Sequence, residues 1–379
     1  MFGLNEEQAS LQELVRDFAQ GVIKPMADEL DKTGRFPKET IQQLAEMGVM
    51  GLNIPEEYGG AGMDEVCKIL AISEISRCCA STAEIVAVHL LVNDIILRFG
   101  NEDQKKKFLS SAAQGNLGCF ALTEANAGSD AGGLKTKAVQ DGDDYILNGT
   151  KVFISNFGQE EGSHLVIIAL TDPEKGTHGG MTAFLVDRDI PGLSCGKTEN
   201  KMGMNAAAVS EVVLEDCRVS KDCILGKVGD GFKIAMGGLD GGRIGIAAQA
   251  YGLAMGAMDE AVKYSKERVQ FGRPICKNQG LQWYLSEMAT RTEAAGLLTL
   301  QAAALRATGA RVSKEASLAK FYAAETACYV ADLALQIHGG YGYMKDYAIE
   351  RMYRDARIMR IYEGTSEVQK IVIAKQVLG

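Results

Sequence analysis

Apolar residues recur every three or four positions in the first third of the chain, which is the spacing of one helix face. Asn5 and Gln8 have the residue types of a helix start at the head of the first such segment. Its apolar stripe comprises Leu11, Leu14, Val15, Phe18 and Val22. More helical segments follow, and Gly100 is placed to end the last of them. We therefore expect residues 1–118 to form an N-terminal helical domain.

Between residues 119 and 227 the pattern changes to short apolar runs separated by Gly, Asp and Pro. The run "DDYILNGTKVFISN" holds Asn148-Gly149 between two apolar stretches, which predicts a β-hairpin with its turn at these residues. Several short strands in one segment favour a middle β-domain, built as a small barrel or sandwich.

From residue 228 to 379, long helical segments rich in Ala, Met and Gly return, joined by short breaks such as "FGRPICKNQ". Long antiparallel helices with short connections predict a C-terminal four-helix bundle. The expected fold class is thus α with a central β-domain. The Gly-rich stretches "GDGFKI" and "GGYGY" lack the third glycine and the preceding strand of a dinucleotide-binding fingerprint.

Composition narrows the function classes. The 379 residues are 46% hydrophobic and carry a net charge of −9, with only a short basic run at Gln104–Lys107. This argues against nucleic-acid binding. The nine cysteines lie mostly in apolar runs without a CxxC pair, which favours buried thiols in a reducing cytosol. The four histidines lack the spacing of a zinc site, so we expect no metal.

The N-terminal segment has no basic region followed by an apolar core, so it does not resemble a signal peptide. No run of about 18 apolar residues indicates a membrane span. We therefore expect a cytoplasmic protein without membrane insertion.

Near the C-terminus, "RIMRIYEGTSEVQK" places the carboxylate of Glu363 between a tyrosine and a glycine. Ser366 and Gln369 form an S-x-x-Q pattern, which predicts a capping box with Ser366 as the N-cap of the last helix. Gly364 suits the end of the preceding helix. Glu363 at this break would be a general base if burial raised its pKa. On local features a solvated Glu fits better, because most carboxylates are unperturbed.

Three glycine-rich stretches are open to two interpretations each. "FALTEANAGSDAGG" (120–133) fits a loop that brings backbone N–H groups to a ligand, or a plain surface connection. "QIHGGYGY" (336–343) fits a helix end that closes on a ligand, or a routine glycine cap. "LDGGRIG" (239–245) places a glycine pair inside a helical pattern, which indicates close packing or the approach of a ligand.

Together these stretches resemble motifs of the acyl-CoA dehydrogenase family, specifically its short-chain or butyryl-CoA branch. The motifs run in order through "PEEYGGAG", "FALTEANAGSD", "NGTKVFISN", "GRIGIAAQA", "ERVQFGRPI", "QIHGGYGY", "ERMYRDARI" and "IYEGTSEVQ". The resemblance covers the whole chain. It implies the same three-part fold, non-covalent FAD, a homotetramer built as a dimer of dimers, and an electron-transferring flavoprotein as partner.

The resemblance also implies residue roles. Glu363 falls where the catalytic base lies, and Phe153 falls in the segment that packs behind the flavin ring. The implied FAD contacts are Phe120, Ala121, Leu122, Thr123, Gly128, Ser129, Phe153, Ile154, Ser155, Arg268, Phe271, Gln279, Gln336, Ile337, His338, Gly339, Gly340, Thr365, Ser366 and Glu367. Several of those from Arg268 to Gly340 usually serve the neighbouring subunit's cofactor. The implied contacts to the acyl-CoA are Ser129, Asp240, Gly241, Gly242, Arg243, Tyr362 and Gly364.

The implied reaction is the FAD-dependent α,β-dehydrogenation of a short-chain acyl-CoA to the trans-2-enoyl-CoA, with electrons passed to the electron-transferring flavoprotein. The alternative is that the same site catalyses the reverse reaction. The protein would then be an enoyl-CoA reductase of an anaerobe that accepts a bulkier or aryl-acrylyl thioester. A non-catalytic acyl-CoA-binding scaffold is a further alternative, against which the intact "YEGTSE" and "RVQFGRPI" argue.

This chain departs from the family's usual pattern at several places. Ala125 stands where the family often has proline, and Phe153 where it often has tryptophan. The stretch "HLLVNDIILRFG" is unusual in a region that shapes the acyl pocket, which leaves the acyl group open.

Overall fold

A computed structural model describes residues 3–379, so Met1 and Phe2 of the expected N-terminal domain lie outside it. The chain begins with helices, as predicted. Their bounds are α1 Glu6–Phe18, α2 Lys24–Thr33, α3 Lys38–Glu46, α4 Glu65–Cys78, α5 Ala80–Phe99, α6 Glu102–Gln104 and α7 Ser110–Ala113. Asn5 and Gln8 form a reciprocal capping box at the start of α1. Leu14 is exposed, unlike Leu11 and Val15 of the same predicted stripe.

Eight strands form one sheet in the order β6-β7-β3-β2-β4-β5-β8, with β1 parallel to β4. Their bounds are β1 Leu117–Ala121, β2 Lys137–Asp141, β3 Asp144–Ser155, β4 Gly162–Leu170, β5 Met181–Asp187, β6 Leu193–Thr198, β7 Val209–Ser220 and β8 Ile224–Leu225. Strand β4 is buried along nearly its whole length, and residues 165–170 are all apolar because both faces of the strand are covered. Leu165 packs into the core of the sheet, and Val166 packs with residues of α5 and α8 (Gly231–Glu267).

The predicted hairpin turn at Asn148-Gly149 is wrong. These residues lie inside β3, and the turn between β2 and β3 falls at Asp141–Asp144, where Gly142 has a φ of 64°. Gly149 marks a bulge with a φ of 151°, and a Cβ there would lie 2.5 Å from Thr136 Oγ1. The glycine is therefore required by close packing rather than by a turn.

Long helices complete the chain, as predicted. After α8 come the short hairpin β9 Val269–Gln270 and β10 Arg273–Pro274, then α9 Gln279–Ala307, α10 Ser313–His338, α11 Ala348–Ala356 and α12 Ser366–Leu378. Helices α4 and α5 pack against α8, so N-terminal and C-terminal helices share one hydrophobic core. Ser73 Oγ of α4, for example, donates to the carbonyl of Ala248 at 3.1 Å.

Helix α5 is long and apolar enough to span a membrane by composition, although no such span was predicted. Of its most apolar window, 83% is buried inside the protein, which is typical of a core helix. Gly100 follows α5 in an extended conformation and ends the helix. The division at residues 118 and 227 stays a proposal. We would move the first boundary ahead of Leu117 to keep β1 whole.

Candidate active site

Glu363 lies in a tight turn between the last turn of one helix and the start of α12. Its φ is 54°, a left-handed conformation that non-glycine residues rarely adopt, and Gly364 follows with a φ of 89°. Two side chains hold this turn by its carbonyl oxygens. Lys320 Nζ donates to Gly364 O at 2.8 Å, and Gln369 Nε2 donates to Glu363 O at 3.1 Å. The direction of the Glu363 side chain is therefore fixed by the backbone.

The Glu363 carboxylate is packed against α8 at Gly242. A Cβ at that glycine would lie 2.6 Å from Oε2, so only glycine leaves room for the carboxylate. Oε2 is buried and has no hydrogen-bond partner within residues 3–379. Burial raises the pKa of Glu363 to about 7, although Arg243 and Lys320 oppose the shift. A base of this kind suits proton removal near neutral pH.

The expected acyl-CoA contacts of α8 lie next to this carboxylate. Arg243 Nη1 donates to Asp240 Oδ1 at 2.8 Å, and Ser313 Oγ donates to Asp240 Oδ2 at 2.6 Å. A Cβ at Gly241 would meet the Arg306 guanidinium at 2.6 Å, so the glycine pair allows close packing on two sides. The structure thus places Tyr362–Gly364 beside Asp240–Arg243, and the roles of these residues toward an acyl-CoA stay predictions.

A substitution of Gly242 by Ala is expected to lower kcat by about tenfold or more, because the new methyl group displaces the Glu363 carboxylate. Stability should not fall, because Ala favours a helix interior over Gly. The matched control is Gly237→Ala on the same helix, where a Cβ meets only Phe99 Cζ, at 3.7 Å. Steady-state kinetics and thermal unfolding of both variants check this, and equal kcat values in the two would contradict it.

The β-domain contributes the expected flavin segments. Phe120 and Ala121 end β1, Leu122 and Thr123 follow, and Gly128 and Ser129 are exposed. Lys151 and Glu124, both almost fully buried, form an ion pair at 2.8 Å beneath this segment. Lys151 Nζ also donates to Leu122 O at 3.0 Å, and Val152 N donates to Thr123 O at 2.9 Å. These contacts therefore fix the backbone of the segment around Leu122 and Thr123 from its buried side.

Phe153 lies near the end of β3, next to this segment. It is 63% exposed and has a φ of 60°, so backbone strain presents an apolar ring to the outside. Ile154 is buried behind it, and Ser155 Oγ donates to a carboxylate of α5, Glu84 Oε1, at 2.9 Å. An exposed aromatic ring beside an open glycine loop fits a planar cofactor such as a flavin ring.

The predicted capping box at Ser366 is wrong by one residue. Thr365 is the N-cap of α12, and its hydroxyl accepts from Val368 N at 3.3 Å. Ser366 Oγ instead donates to Glu325 Oε1 at 2.8 Å, and Gln369 is used to hold the Glu363 turn. Glu367 is exposed in the first turn of α12. Thr365–Glu367 therefore still form a helix N-terminus, which suits an anionic group.

A second group of expected FAD contacts lies at the other end of the bundle. Ile337–Gly340 and Arg268 line an open groove, where Arg268 lies over the Tyr341 ring at 5.4 Å. Gln336 is exposed at the same end of α10, and Phe271 and Gln279 belong to the nearby hairpin and the start of α9. Sixteen residues of α10 separate Gln336 from Lys320, which is about 24 Å along a helix. One chain therefore does not bring this group to its own Glu363.

Two buried charged residues of the site were missed by the sequence analysis. Lys320 is fully buried, and burial lowers its pKa to about 8 although Glu363 opposes the shift. Glu84 is 4% exposed and close enough to Glu363 to raise its pKa. The available signal was a single charge in a largely apolar stretch, "ASLAKFYAA" for Lys320 and "STAEIVAV" for Glu84.

A buried carboxylate of raised pKa, together with an exposed aromatic ring beside a glycine loop, fits an oxidoreductase site that pairs proton removal with a flat redox cofactor. Family models match along the chain: "Acyl-CoA dehydrogenase, N-terminal domain" at 5–116, the "middle domain" at 119–217 and the "C-terminal domain" at 229–378. The chain belongs to the acyl-CoA dehydrogenase family. The expected enzyme class, FAD as cofactor and the three-part fold are thereby confirmed.

Curated relatives include enzymes named for both directions of the reaction. The chain is 50% identical to "Acryloyl-CoA reductase (NADH)" of Anaerotignum propionicum, over 100% of this chain and 96% of the relative. It is 48% identical to "3-(aryl)acrylate reductase" of Clostridium sporogenes, over 98% of this chain and 99% of the relative. It is 46% identical to "Acyl-CoA dehydrogenase, short-chain specific" of Clostridium acetobutylicum, over 99% of each.

Solved structures match over the full length. Butyryl-CoA dehydrogenase from Megasphaera elsdenii has a TM-score of 0.97 and 42% identity, with 100% of both chains covered. A second match has a TM-score of 0.97 and 44% identity, over 100% of this chain and 99% of the matched chain. It comes from the structure described as "Electron transferring flavoprotein of Acidaminococcus fermentans: Towards a mechanism of flavin-based electron bifurcation". The similarity to the short-chain branch is therefore confirmed.

Proposed function

We propose that the protein catalyses the α,β-dehydrogenation of a short-chain acyl-CoA to the trans-2-enoyl-CoA, with Glu363 as the base. The observation that carries the proposal is the Glu363 carboxylate itself. Its Oε2 is buried and unpartnered, it fits against a glycine, and its pKa is raised to about 7. A structural carboxylate would have its oxygens satisfied, whereas a base keeps a lone pair for the proton it removes.

The chain's own residues supply binding and proton transfer. Phe120–Ser129, Phe153–Ser155 and Thr365–Glu367 would hold FAD, which when bound supplies the acceptor for the β-hydrogen. Glu363 removes the α-proton onto its carboxylate, and the turn held by Lys320 and Gln369 keeps that carboxylate in place. Asp240–Arg243 border the same site and would contact the thioester.

Anaerobic titration of the purified holoprotein with a thioester panel tests the proposal. Short saturated acyl-CoA thioesters are expected to bleach the flavin absorbance and to yield the trans-2-enoyl product. A protein that contains no flavin, or a flavin that no acyl-CoA reduces, would contradict the proposal and favour a non-catalytic scaffold.

Reduction of an enoyl-CoA is the second candidate, favoured by the names of two relatives at 50% and 48% identity. The same residues serve both directions, since a base that accepts the α-proton also returns it. To test this, the flavin is first reduced by the electron-transferring flavoprotein and then mixed with enoyl-CoA thioesters. Faster reoxidation by acrylyl or aryl-acrylyl thioesters than by crotonyl-CoA would support reduction of that substrate class.

The reaction should depend on the protonation of Glu363. Because burial raises its pKa to about 7, the carboxyl is protonated and inactive below this pH and active above it. We expect the rate of flavin reduction to rise by about tenfold per pH unit up to about pH 7 and then to level off. Stopped-flow measurement from about pH 5.5 to about pH 8.5 checks this, and a profile that is flat across this range would contradict it.

We further propose a cytoplasmic homotetramer, built as a dimer of dimers, that passes electrons to an electron-transferring flavoprotein. The bundle exposes Phe271 by 98% and Trp283 by 65%, which suits burial against another subunit. The groove at Arg268 and Gly339–Gly340 would then meet the cofactor of a neighbouring chain. Light scattering after size exclusion should give the mass of four chains, and a monomer mass would contradict this.

A further inference from the structure

Glu84 is a buried carboxylate that the proposed mechanism does not use. Ser155 Oγ donates to its Oε1 at 2.9 Å, while Oε2 accepts no hydrogen bond from residues 3–379 and is not sealed from solvent. The nearby Lys201 ammonium donates to Ala207 O at 2.9 Å, and no cation within the described chain forms an ion pair with Glu84. Burial without a cationic partner raises the pKa of Glu84, and a donor from a ligand would stabilise its charged form.

A stripe of α8 connects the Glu363 carboxylate with the part of α5 that holds Glu84. Gly242, Gly245 and Gln249 lie three and four positions apart and so share one helix face. Gly242 faces Glu363, and a Cβ at Gly245 would lie 4.0 Å from Ala87 Cβ on α5. Gln249 Nε2 donates to the carbonyl of Ala80 at 2.8 Å. Glu84 therefore lies beside the stripe, about one to two helical turns beyond Glu363.

The α5 side of the stripe keeps some accessible surface. Glycines at 242 and 245 leave the α8 side without side chains. On α5, Val88 lies one turn after Glu84 and is partly exposed, although its neighbours Ala87 and His89 are buried. At the far end, the Tyr362 hydroxyl donates to Gln249 Oε1 and also lies within hydrogen-bonding reach of Glu84. Glu84 is thus an acceptor that lies close to both Glu363 and Tyr362.

We propose that Glu84 is a specificity-determining residue, and that the acyl group carries a hydrogen-bond donor, a hydroxyl or an ammonium, at its far end. This rests on the proposed function and narrows its substrate class. An alkyl end would cover Glu84 Oε2 without replacing the hydrogen bonds of water. A site that hydrogen-bonds a polar group of its substrate strongly rejects an analogue without that group. This discrimination is much larger than that of an apolar site between substrates that differ by one methylene.

The test compares two thioesters of equal size, 4-hydroxybutyryl-CoA and pentanoyl-CoA, with 4-aminobutyryl-CoA to separate ammonium from hydroxyl. For the wild-type holoenzyme we expect kcat/KM to favour a donor-bearing thioester by at least about tenfold. Glu84→Met, which keeps the volume but removes the acceptor, should reverse the preference. Glu84→Gln, which keeps an acceptor oxygen, should retain much of the preference for the hydroxyl.

Binding separates this inference from the proposed function. Dissociation constants measured in a Glu363→Gln background do not require turnover, so the ratio of Kd values for the two thioesters remains readable if no thioester reduces the flavin. Absence of flavin reduction with every thioester would overturn the proposed function. A wild-type preference for pentanoyl-CoA, or equal ratios in wild type and Glu84→Met, would overturn the role of Glu84.

Discussion

Replacing Glu363 by Gln is expected to lower kcat by at least about 10³-fold while the protein keeps its flavin and its affinity for thioester. The amide has nearly the shape of the carboxylate but accepts no proton. The turn should persist, because Lys320 and Gln369 bind the carbonyls of Gly364 and Glu363 rather than the side chain. Stopped-flow flavin reduction and the Kd of a thioester measure the two quantities separately.

The control is Glu293→Gln, which neutralises an exposed glutamate on α9 and should leave the rate of flavin reduction unchanged. Loss of flavin in the Glu363 variant would point to a structural role instead. Retention of more than about a tenth of the wild-type kcat would exclude Glu363 as the base.

Substitution of Lys151 by Met is expected to destabilise the protein by about 3–5 kcal/mol, because it leaves a buried carboxylate without its cation. Glu124 is held by the ion pair and by the backbone amides of Lys135, at 2.7 Å, and Thr136, at 3.0 Å. Together these keep the pKa of Glu124 below its ordinary value despite burial. The flavin segment at Leu122 and Thr123 should loosen with the pair, so bound FAD should also fall.

Urea unfolding gives the free energy, and the ratio of flavin to protein absorbance gives the cofactor content. Lys175→Met is the control, because its ion pair with Asp172 is solvent-exposed and should contribute nothing measurable. Adding Glu124→Gln to Lys151→Met removes the unpaired charge and should recover part of the loss. Unchanged stability and flavin content in the single variant would contradict the expectation.

Most of the fold was predictable because helix and strand periods are local properties of the sequence. The helices at both ends and the short strands between them were read from apolar spacing alone. The errors arose where a local signal had a tertiary cause. The Asn-Gly pair predicts a turn at Gly149, but this glycine is required by the side chain of Thr136 from the neighbouring strand. The true turn at Gly142 carried a similar Asp-Gly signal.

The site was predictable only in part. Its residues followed from family resemblance, whereas the local pattern alone favoured a solvated Glu363. What makes Glu363 a base is its contact with Gly242, a residue 121 positions away along the chain, and no spacing rule predicts that contact. Glu84 and Lys320 were missed for the same reason, because burial of a charge is decided by which helices pack around it.

The shared packing of α4, α5 and α8 has a consequence for how the chain folds. Helix α5 buries most of its apolar surface only when the sheet and α8 are both in place. An early folding intermediate that contains the N-terminal helices alone would therefore expose an aggregation-prone surface. The family's three sequence segments then form a single cooperative unit, and the first of them should not be obtainable as an isolated, well-behaved fragment.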